Sequence, residues 1–254
     1  MNQLSNKVAI ITGASSGIGQ DAARLFASEG ARLVVTGRRQ AALEALVGEI
    51  AAKGGEAVAL AGDIRDEQLA RRLVELAVDR FGGLDIAFNN AGITGAAAAV
   101  PDLSLENWHD VLDSNLTSGF LGAKYQLPAM VARGGGSLIF TATFVGYSVG
   151  FPGMAAYAAA KAGLIGMTQV IATEFGAQNI RASALLPGGT DTPMGREVAN
   201  TPESRAFVEG LHALKRLAEP REIAEAALFL ASDAASFVTG TAMLVDGGVS
   251  IHRG

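Results

Sequence analysis

The sequence predicts an α/β fold: a doubly wound sheet of seven mainly parallel strands with helices on both faces. Three observations carry this expectation. Short apolar, β-branched runs alternate with stretches of helical composition, the first four strands recurring about every 25 residues. Glycine is abundant at 32 and proline scarce at 7, which suits many tight strand–helix turns rather than a Pro-rich linker. Hydrophobic residues make up 49% and charged residues 18%, enough for a large buried core and too apolar for a disordered chain.

A length of 254 residues suits a single α/β unit, so one domain over 1–254 is expected, with a substrate lid around 191–215. The net charge of −5 offers no basic patch and argues against nucleic acid as the main partner. With no cysteine, disulfides and thiolate metal sites are excluded. His109, His212 and His252 are scattered without ligand spacing, so no metal site is expected and exposed or capping roles are favoured for them. Met1 to Lys7 lacks a signal-peptide pattern, and no apolar run approaches the ~18–20 residues that span a bilayer, so a soluble cytoplasmic protein is expected.

Val8 to Thr12 is a continuous apolar run, as in a strand buried on both faces of a parallel sheet. Gly13-Ala14-Ser15-Ser16-Gly17-Ile18-Gly19 follows, then a helix over Asp21–Gly30 with Ala22, Ala23, Leu25 and Phe26 apolar. Strand, glycine turn and helix together suit a diphosphate: glycine removes the Cβ where the ligand nears the backbone, and the helix start offers free N–H groups. The spacing is Gly-x-x-x-Gly-x-Gly rather than the commoner Gly-x-Gly-x-x-Gly, and a purely structural turn is the alternative.

Arg32 to Thr36 is the second strand. It ends in Gly37-Arg38-Arg39, where NAD-preferring folds carry a carboxylate for the ribose 2′-hydroxyl. Two guanidiniums suit a 2′-phosphate instead, so NADPH is predicted over NADH; solvated arginines are the alternative. A helix over Gln40–Lys53 leads to the strand Ala57–Ala61 and to Gly62-Asp63-Ile64. Asp63 could accept from an adenine amino group or cap a turn. A helix over Asp66–Phe81 and the strand Leu84–Phe88 lead into Asn89-Asn90-Ala91-Gly92. Ligands in such sheets bind beyond the carboxyl ends of the strands, which places Gly13, Gly37, Asp63 and Asn89 on one rim.

Ser104 caps a long helix towards Arg133 with Asn115 in its middle. Leu138 to Ala142 is the fifth strand, and Ala155–Gly176 a helix carrying Tyr157 and Lys161 one turn apart on one face. A phenol beside an ammonium is a proton donor and acceptor, because the positive charge favours phenolate. Taken alone, the pair reads more readily as a surface ladder, since a Tyr and a Lys one helical turn apart are common. Ile180 to Leu186 is the sixth strand, Met194–Lys215 a polar segment, Pro220 the start of a further helix, and Gly240–Gly248 the seventh strand and its turn.

Thr12-Gly13-Ala14-Ser15-Ser16-Gly17-Ile18-Gly19, Asn89-Asn90-Ala91-Gly92 and Tyr157-x-x-x-Lys161, in this order and spacing, resemble the signature set of the short-chain dehydrogenase/reductase family over essentially the whole chain. The resemblance implies a Rossmann-type fold and a hydride transfer between a nicotinamide cofactor, NADP(H) favoured over NAD by Arg38 and Arg39, and a ketone or secondary alcohol. It implies Tyr157 as proton donor, Lys161 as the group that lowers its pKa and holds the nicotinamide ribose, and Asn115 as a helix kink that holds a water relay. The family's serine hydroxyl is replaced: Thr143 takes its place, one residue farther from the tyrosine, with Ser148 the competing candidate. The cofactor is expected against Gly13, Ser15, Ser16, Ile18 and Gly19, against Arg38, Arg39, Asp63 and Ile64, against Asn89, Ala91 and Gly92, and against Tyr157, Lys161, Pro187, Gly188, Thr190 and Thr192. In that last loop Thr190 is expected to act through its backbone and Thr192 through its hydroxyl.

Carbonyl reductase chemistry is the leading expectation. Dehydrogenation of a sugar, polyol or steroid, reduction of a 3-oxoacyl group, and a dinucleotide-binding regulator without turnover are the alternatives. Phe144, Phe151, Met154 and Met194 hint at an apolar substrate pocket, with core packing the competing account. A homotetramer is implied by the resemblance, its helices Leu103–Arg133 and Ala155–Gly176 pairing between subunits.

Overall fold

The structure, a computed structural model, describes residues 2–252. The chain runs β1 (Val8–Thr12), α1 (Gly17–Ser28), β2 (Arg32–Gly37), α2 (Gln40–Ala52), β3 (Glu56–Ala61), α3 (Glu67–Phe81), β4 (Ile86–Asn89), α4 (Leu105–Leu112), α5 (Ser118–Arg133), β5 (Gly136–Thr141), α6 (Ala155–Phe175), β6 (Ile180–Pro187), α7 (Pro193–Val198), α8 (Pro202–Leu211), α9 (Pro220–Ala231) and β7 (Thr241–Val245). The strands form one sheet in the order β3-β2-β1-β4-β5-β6-β7, and every pairing is parallel.

Burial explains the strands. All five residues of β1 are buried because the sheet is covered on both sides. On one side Ile11, Val35 and Phe88 meet Phe26 of α1, Leu43 of α2 and Ile223 of α9. On the other, Ile10, Val34 and Leu138 meet Leu73 of α3, Met130 of α5 and Leu164 of α6. The strand order reverses between β1 and β4, and a crevice opens beyond their carboxyl ends.

Two local features depart from the expected elements. α1 begins at Gly17, four residues before the expected Asp21. The low helical propensity of glycine is overridden because Gly19 packs on the backbone of Gly13, where an added Cβ would lie 2.5 Å from its carbonyl oxygen. The long helix expected from Ser104 to Arg133 is broken by a π turn at Asp113–Thr117 between α4 and α5. Asn115 sits in this turn. Its amide donates to the Val111 carbonyl at 2.8 Å and to the Ile93 carbonyl at 2.9 Å, so it competes with the regular helical ladder.

The 191–215 segment folds as two short helices. Thr192 caps α7 by accepting from the Gly195 N–H, and Thr201 caps α8 in a capping box with Ser204. Asp191 ties both together through Arg196 at 2.7 Å and Arg205 at 3.6 Å. Among the described residues no helix is long and apolar enough to cross a membrane.

Candidate active site

A cleft of about 1320 Å³ runs along the carboxyl ends of the strands. This exceeds the few hundred Å³ of a typical small-molecule pocket and leaves room for a dinucleotide beside a second ligand.

One end is built by β1, β2 and β3. Gly13 has φ +70°, and a Cβ there would lie 2.9 Å from Asn90 Nδ2 and 3.0 Å from Ala91 Cα, so only glycine fits. Ser15, Ser16 and Ile18 line the cleft at the start of α1, where free N–H groups suit an anion. Arg38 and Arg39 line the same end, and Arg39 Nη2 donates to the Ser15 carbonyl at 2.9 Å, which holds a guanidinium over the glycine turn. Asp63 and Ile64 also face the cleft. The Asp63 carboxylate is gripped by Arg65, whose guanidinium holds it below its ordinary pKa; the expected acceptance from an adenine would compete with this ion pair.

The β4 end differs in one detail from the expected rim. Asn89 shares the sheet face of Ala87, and its side chain exchanges two hydrogen bonds with Gln126 of α5, at 2.8 and 3.0 Å, away from the cleft. Asn90 faces the cleft instead and joins three strand ends. It accepts from the Thr141 hydroxyl at 3.1 Å and donates to the Thr12 carbonyl at 3.2 Å, while the Thr12 hydroxyl accepts from the N–H groups of Asn90 and Ala91. Gly19, buried under the turn, likewise serves helix–strand packing rather than the cleft wall.

At the centre, α6 delivers Tyr157 and Lys161 to the floor. Lys161 is 3% exposed and donates to the Thr141 carbonyl at 2.6 Å. Its Nζ lies 5.7 Å from the centroid of the Tyr157 ring. Burial lowers Lys161 to about 8, and burial raises the Tyr157 phenol to about 12, with the Thr143 hydroxyl beside it pulling the other way. The depression expected from the neighbouring ammonium does not appear in the protein alone, where desolvation dominates and Tyr157 is held as the neutral, proton-carrying phenol at neutral pH.

Thr143, 6% exposed, faces the cleft from the loop after β5. Ser148 bonds Ser250 and the Phe144 carbonyl outside it. Asn115 lines the floor with its side chain fixed on Ile93, and Gly92 passes so close that a Cβ would collide with Asn115 Oδ1 and lie 3.3 Å from Lys161 Nζ.

At the far end, Pro187, Gly188, Thr190 and Thr192 form one wall. The Thr190 hydroxyl donates to the Gly188 carbonyl at 3.0 Å, and the Thr192 hydroxyl already serves as the cap of α7. Thr192 also bridges the cleft: a Cβ on Gly17 would lie 2.9 Å from its methyl. Beyond it the lining turns apolar, with Phe144 and Phe151 in edge-to-face contact at 5.8 Å and Met154, Met194, Phe207 and Leu211 around them.

Sequence reasoning missed Thr12, Asn90 and His212. Hydroxyl and amide types at strand ends were the available signal for the first two. His212, expected to be exposed or capping, does cap the end of α8, but it is 2% exposed and also lines the cleft.

A family model described as enoyl-(acyl carrier protein) reductase matches residues 13–250. The chain is 41% identical to cyclohexanol dehydrogenase of Acinetobacter sp. strain SE19 over 246 residues, covering 97% of this chain and 96% of that one. It is 42% identical to 2,5-dichloro-2,5-cyclohexadiene-1,4-diol dehydrogenase of Sphingobium indicum over 250 residues, 98% of each. Among solved structures it superposes on a candidate NAD(P)-dependent gluconate 5-dehydrogenase from Beutenbergia cavernae, holding NADP at low occupancy, with a TM-score of 0.91, 33% identity and 98% of each chain covered.

Proposed function

The chain belongs to the short-chain dehydrogenase/reductase family, oxidoreductases of CH–OH and C=O groups, and from that premise we propose that it is an NADP(H)-preferring carbonyl reductase of alicyclic ketones and their secondary alcohols. The observation that carries the reading is the meeting of Tyr157, Thr143 and Lys161 on the floor of one cleft, with guanidiniums at one end and an apolar wall at the other.

The residues fit the cofactor. Gly13 leaves the space a Cβ would fill where a diphosphate approaches, Ser15, Ser16 and Ile18 present the start of α1, and Arg38 and Arg39 complement a 2′-phosphate. Ala91, Gly92, Lys161, Pro187, Gly188, Thr190 and Thr192 would flank the remainder. When bound, NADP(H) supplies the hydride.

The protein supplies orientation and the proton. Tyr157 Oη donates its proton to the substrate oxygen as the carbonyl is reduced to an alcohol. Thr143 Oγ1 donates a hydrogen bond to that oxygen as negative charge develops on it. The Lys161 ammonium, tethered to the Thr141 carbonyl, stabilises the phenolate that Tyr157 becomes, and the Asn115 turn orders the proton path towards Lys161. α7 and α8 act as the lid that keeps water from the reacting carbon.

Two relatives act on six-membered carbocycles, and the Phe144, Phe151, Met154 and Met194 wall suits an apolar ring that carries one polar atom. A homotetramer remains part of the proposal, supported by Leu105, Phe120 and Val170 exposed on α4, α5 and α6. A panel of cyclohexanones, open-chain sugars and 3-oxoacyl thioesters, assayed with NADPH and NADH side by side, tests the reading. Highest kcat/KM for a cyclic ketone with NADPH is expected; preference for a sugar, or for NADH, overturns the respective part.

A further inference from the structure

His212 ends the lid helix α8, yet its ring is wedged under the cofactor wall. Its Nδ1 lies 2.8 Å from the Val208 carbonyl, one turn earlier in the helix. A carbonyl only accepts, so Nδ1 carries the proton. The other nitrogen, Nε2, is then an acceptor and takes the N–H of Gly189 at 2.9 Å. Both ring nitrogens are satisfied in this one tautomer.

The bond fixes more than the ring. The peptide that supplies the Gly189 N–H has Gly188 as its carbonyl, and that oxygen accepts the Thr190 hydroxyl. The Gly189 carbonyl accepts from the Ala218 N–H at 2.9 Å. A Cβ on Gly189 would lie 2.9 Å from His212 Cε1, so the glycine is what lets the imidazole reach this backbone. Gly247 closes the other side of the ring, its Cβ position 3.3 Å from Cδ2. The plane of the Gly188–Gly189 peptide is thus set from the lid.

We propose that His212 is a positioning residue that couples the lid helix to the Pro187–Thr192 wall, so that holding the cofactor and ordering the lid become one event. The coupling rests on the reading that this wall contacts NADP(H). Neither Tyr157 nor Lys161 is touched by His212, so its effect falls on cofactor affinity and lid order before it falls on the proton transfer.

Three variants separate the bond from the bulk of the ring. His212→Gln places an acceptor where Nε2 stood and keeps the bond to Gly189. His212→Asn reaches only the Val208 side. His212→Leu fills the space without either bond. NADPH affinity is read by fluorescence titration, and lid order by tryptic cleavage at Arg196, Arg205 and Lys215 with and without NADPH. The Asn and Leu variants are expected to bind NADPH about tenfold more weakly, the loss of one buried acceptor, and to lose the protection that NADPH gives the lid. The Gln variant is expected within about threefold of the parent on both readouts. Equal losses in all three, or parent-like binding and protection in the Asn variant, would overturn the coupling; should the Leu variant fail to fold, the Asn and Gln pair decides. A parent chain that binds neither NADPH nor NADH overturns the cofactor reading, and the coupling with it.

Discussion

Replacing Lys161 by methionine separates what this residue does for stability from what it does for catalysis. The ammonium is 3% exposed, and burial lowers its pKa from the ordinary 10.5 to about 8. At about 1.4 kcal/mol for each pH unit between the two values, holding it charged at pH 7 costs the folded state about 3 kcal/mol. Its hydrogen bond to the Thr141 carbonyl, 2.6 Å long, returns about 1.5–3 kcal/mol. Lys161→Met is therefore expected to lie between unchanged and about 2 kcal/mol more stable at pH 7, a rise of at most about 8 °C in Tm for a chain of this size. Turnover should fall by about 10²–10⁴, the usual contribution of a positioned proton-transfer group. The pH dependence gives the sign. Below about pH 8 the lysine is charged in folded and unfolded chains alike, and the folded state carries the whole cost. Between about 8 and 10.5 the folded chain has lost a proton that the unfolded chain keeps, so the parent gains stability relative to the variant as pH rises. Urea melts of both proteins from pH 7 to 10, with steady-state rates alongside, measure both effects. A variant more than about 2 kcal/mol less stable at pH 7, or a stability difference flat across that range, would refute the burial argument.

Other outcomes follow from the same geometry. Thr143→Val is expected to lose about 10²–10³ in kcat, the scale of one oxyanion donor, while Ser148→Ala leaves kcat within about twofold; steady-state kinetics of the two decide which hydroxyl acts. Because burial raises Tyr157 to about 12, ketone reduction should stay flat from pH 6 to 8 while oxidation of the matching alcohol rises with pH, which pH–rate profiles in both directions check. Arg38→Ala with Arg39→Ala should raise the KM for NADPH about 10–100-fold and leave that for NADH nearly unchanged. Gly92→Ala, whose methyl collides with Asn115 and crowds Lys161, should cost about 1–3 kcal/mol in a denaturant melt and lower kcat with it.

Much of the sheet is legible in the sequence because a parallel strand covered on both faces needs an unbroken apolar run. Val8 to Ile11 says so directly, whereas Ile180 to Leu186 is interrupted by Arg181 and Ser183. Features decided by contacts distant in sequence are not legible. Glycine propensity argues against a helix at Gly17, and only the Gly13 backbone packed on Gly19 reveals why the helix starts there. Asn115 marks the π turn only as a polar residue in an apolar helix; its partner Ile93 lies 22 residues away. Asn89 and Asn90 are indistinguishable by type, and the strand's alternation sends one to Gln126 and the other to the cleft. The Tyr157–Lys161 spacing shows that the two groups share a face, but not that Lys161 is buried and Tyr157 partly so, and desolvation is what sets their protonation. A lone histidine in a polar segment gives no sign of its reach; His212 needs Gly189 opposite to make its contact.

The proton-transfer role of Tyr157 is the core of the account, and Tyr157→Phe tests it most directly. NADPH oxidation with a cyclohexanone is followed for parent and variant, with NADPH affinity titrated in both. Loss of turnover by at least about 10², with NADPH affinity within about threefold of the parent, is the expected result. A variant that reduces the ketone at a rate close to the parent's would contradict it.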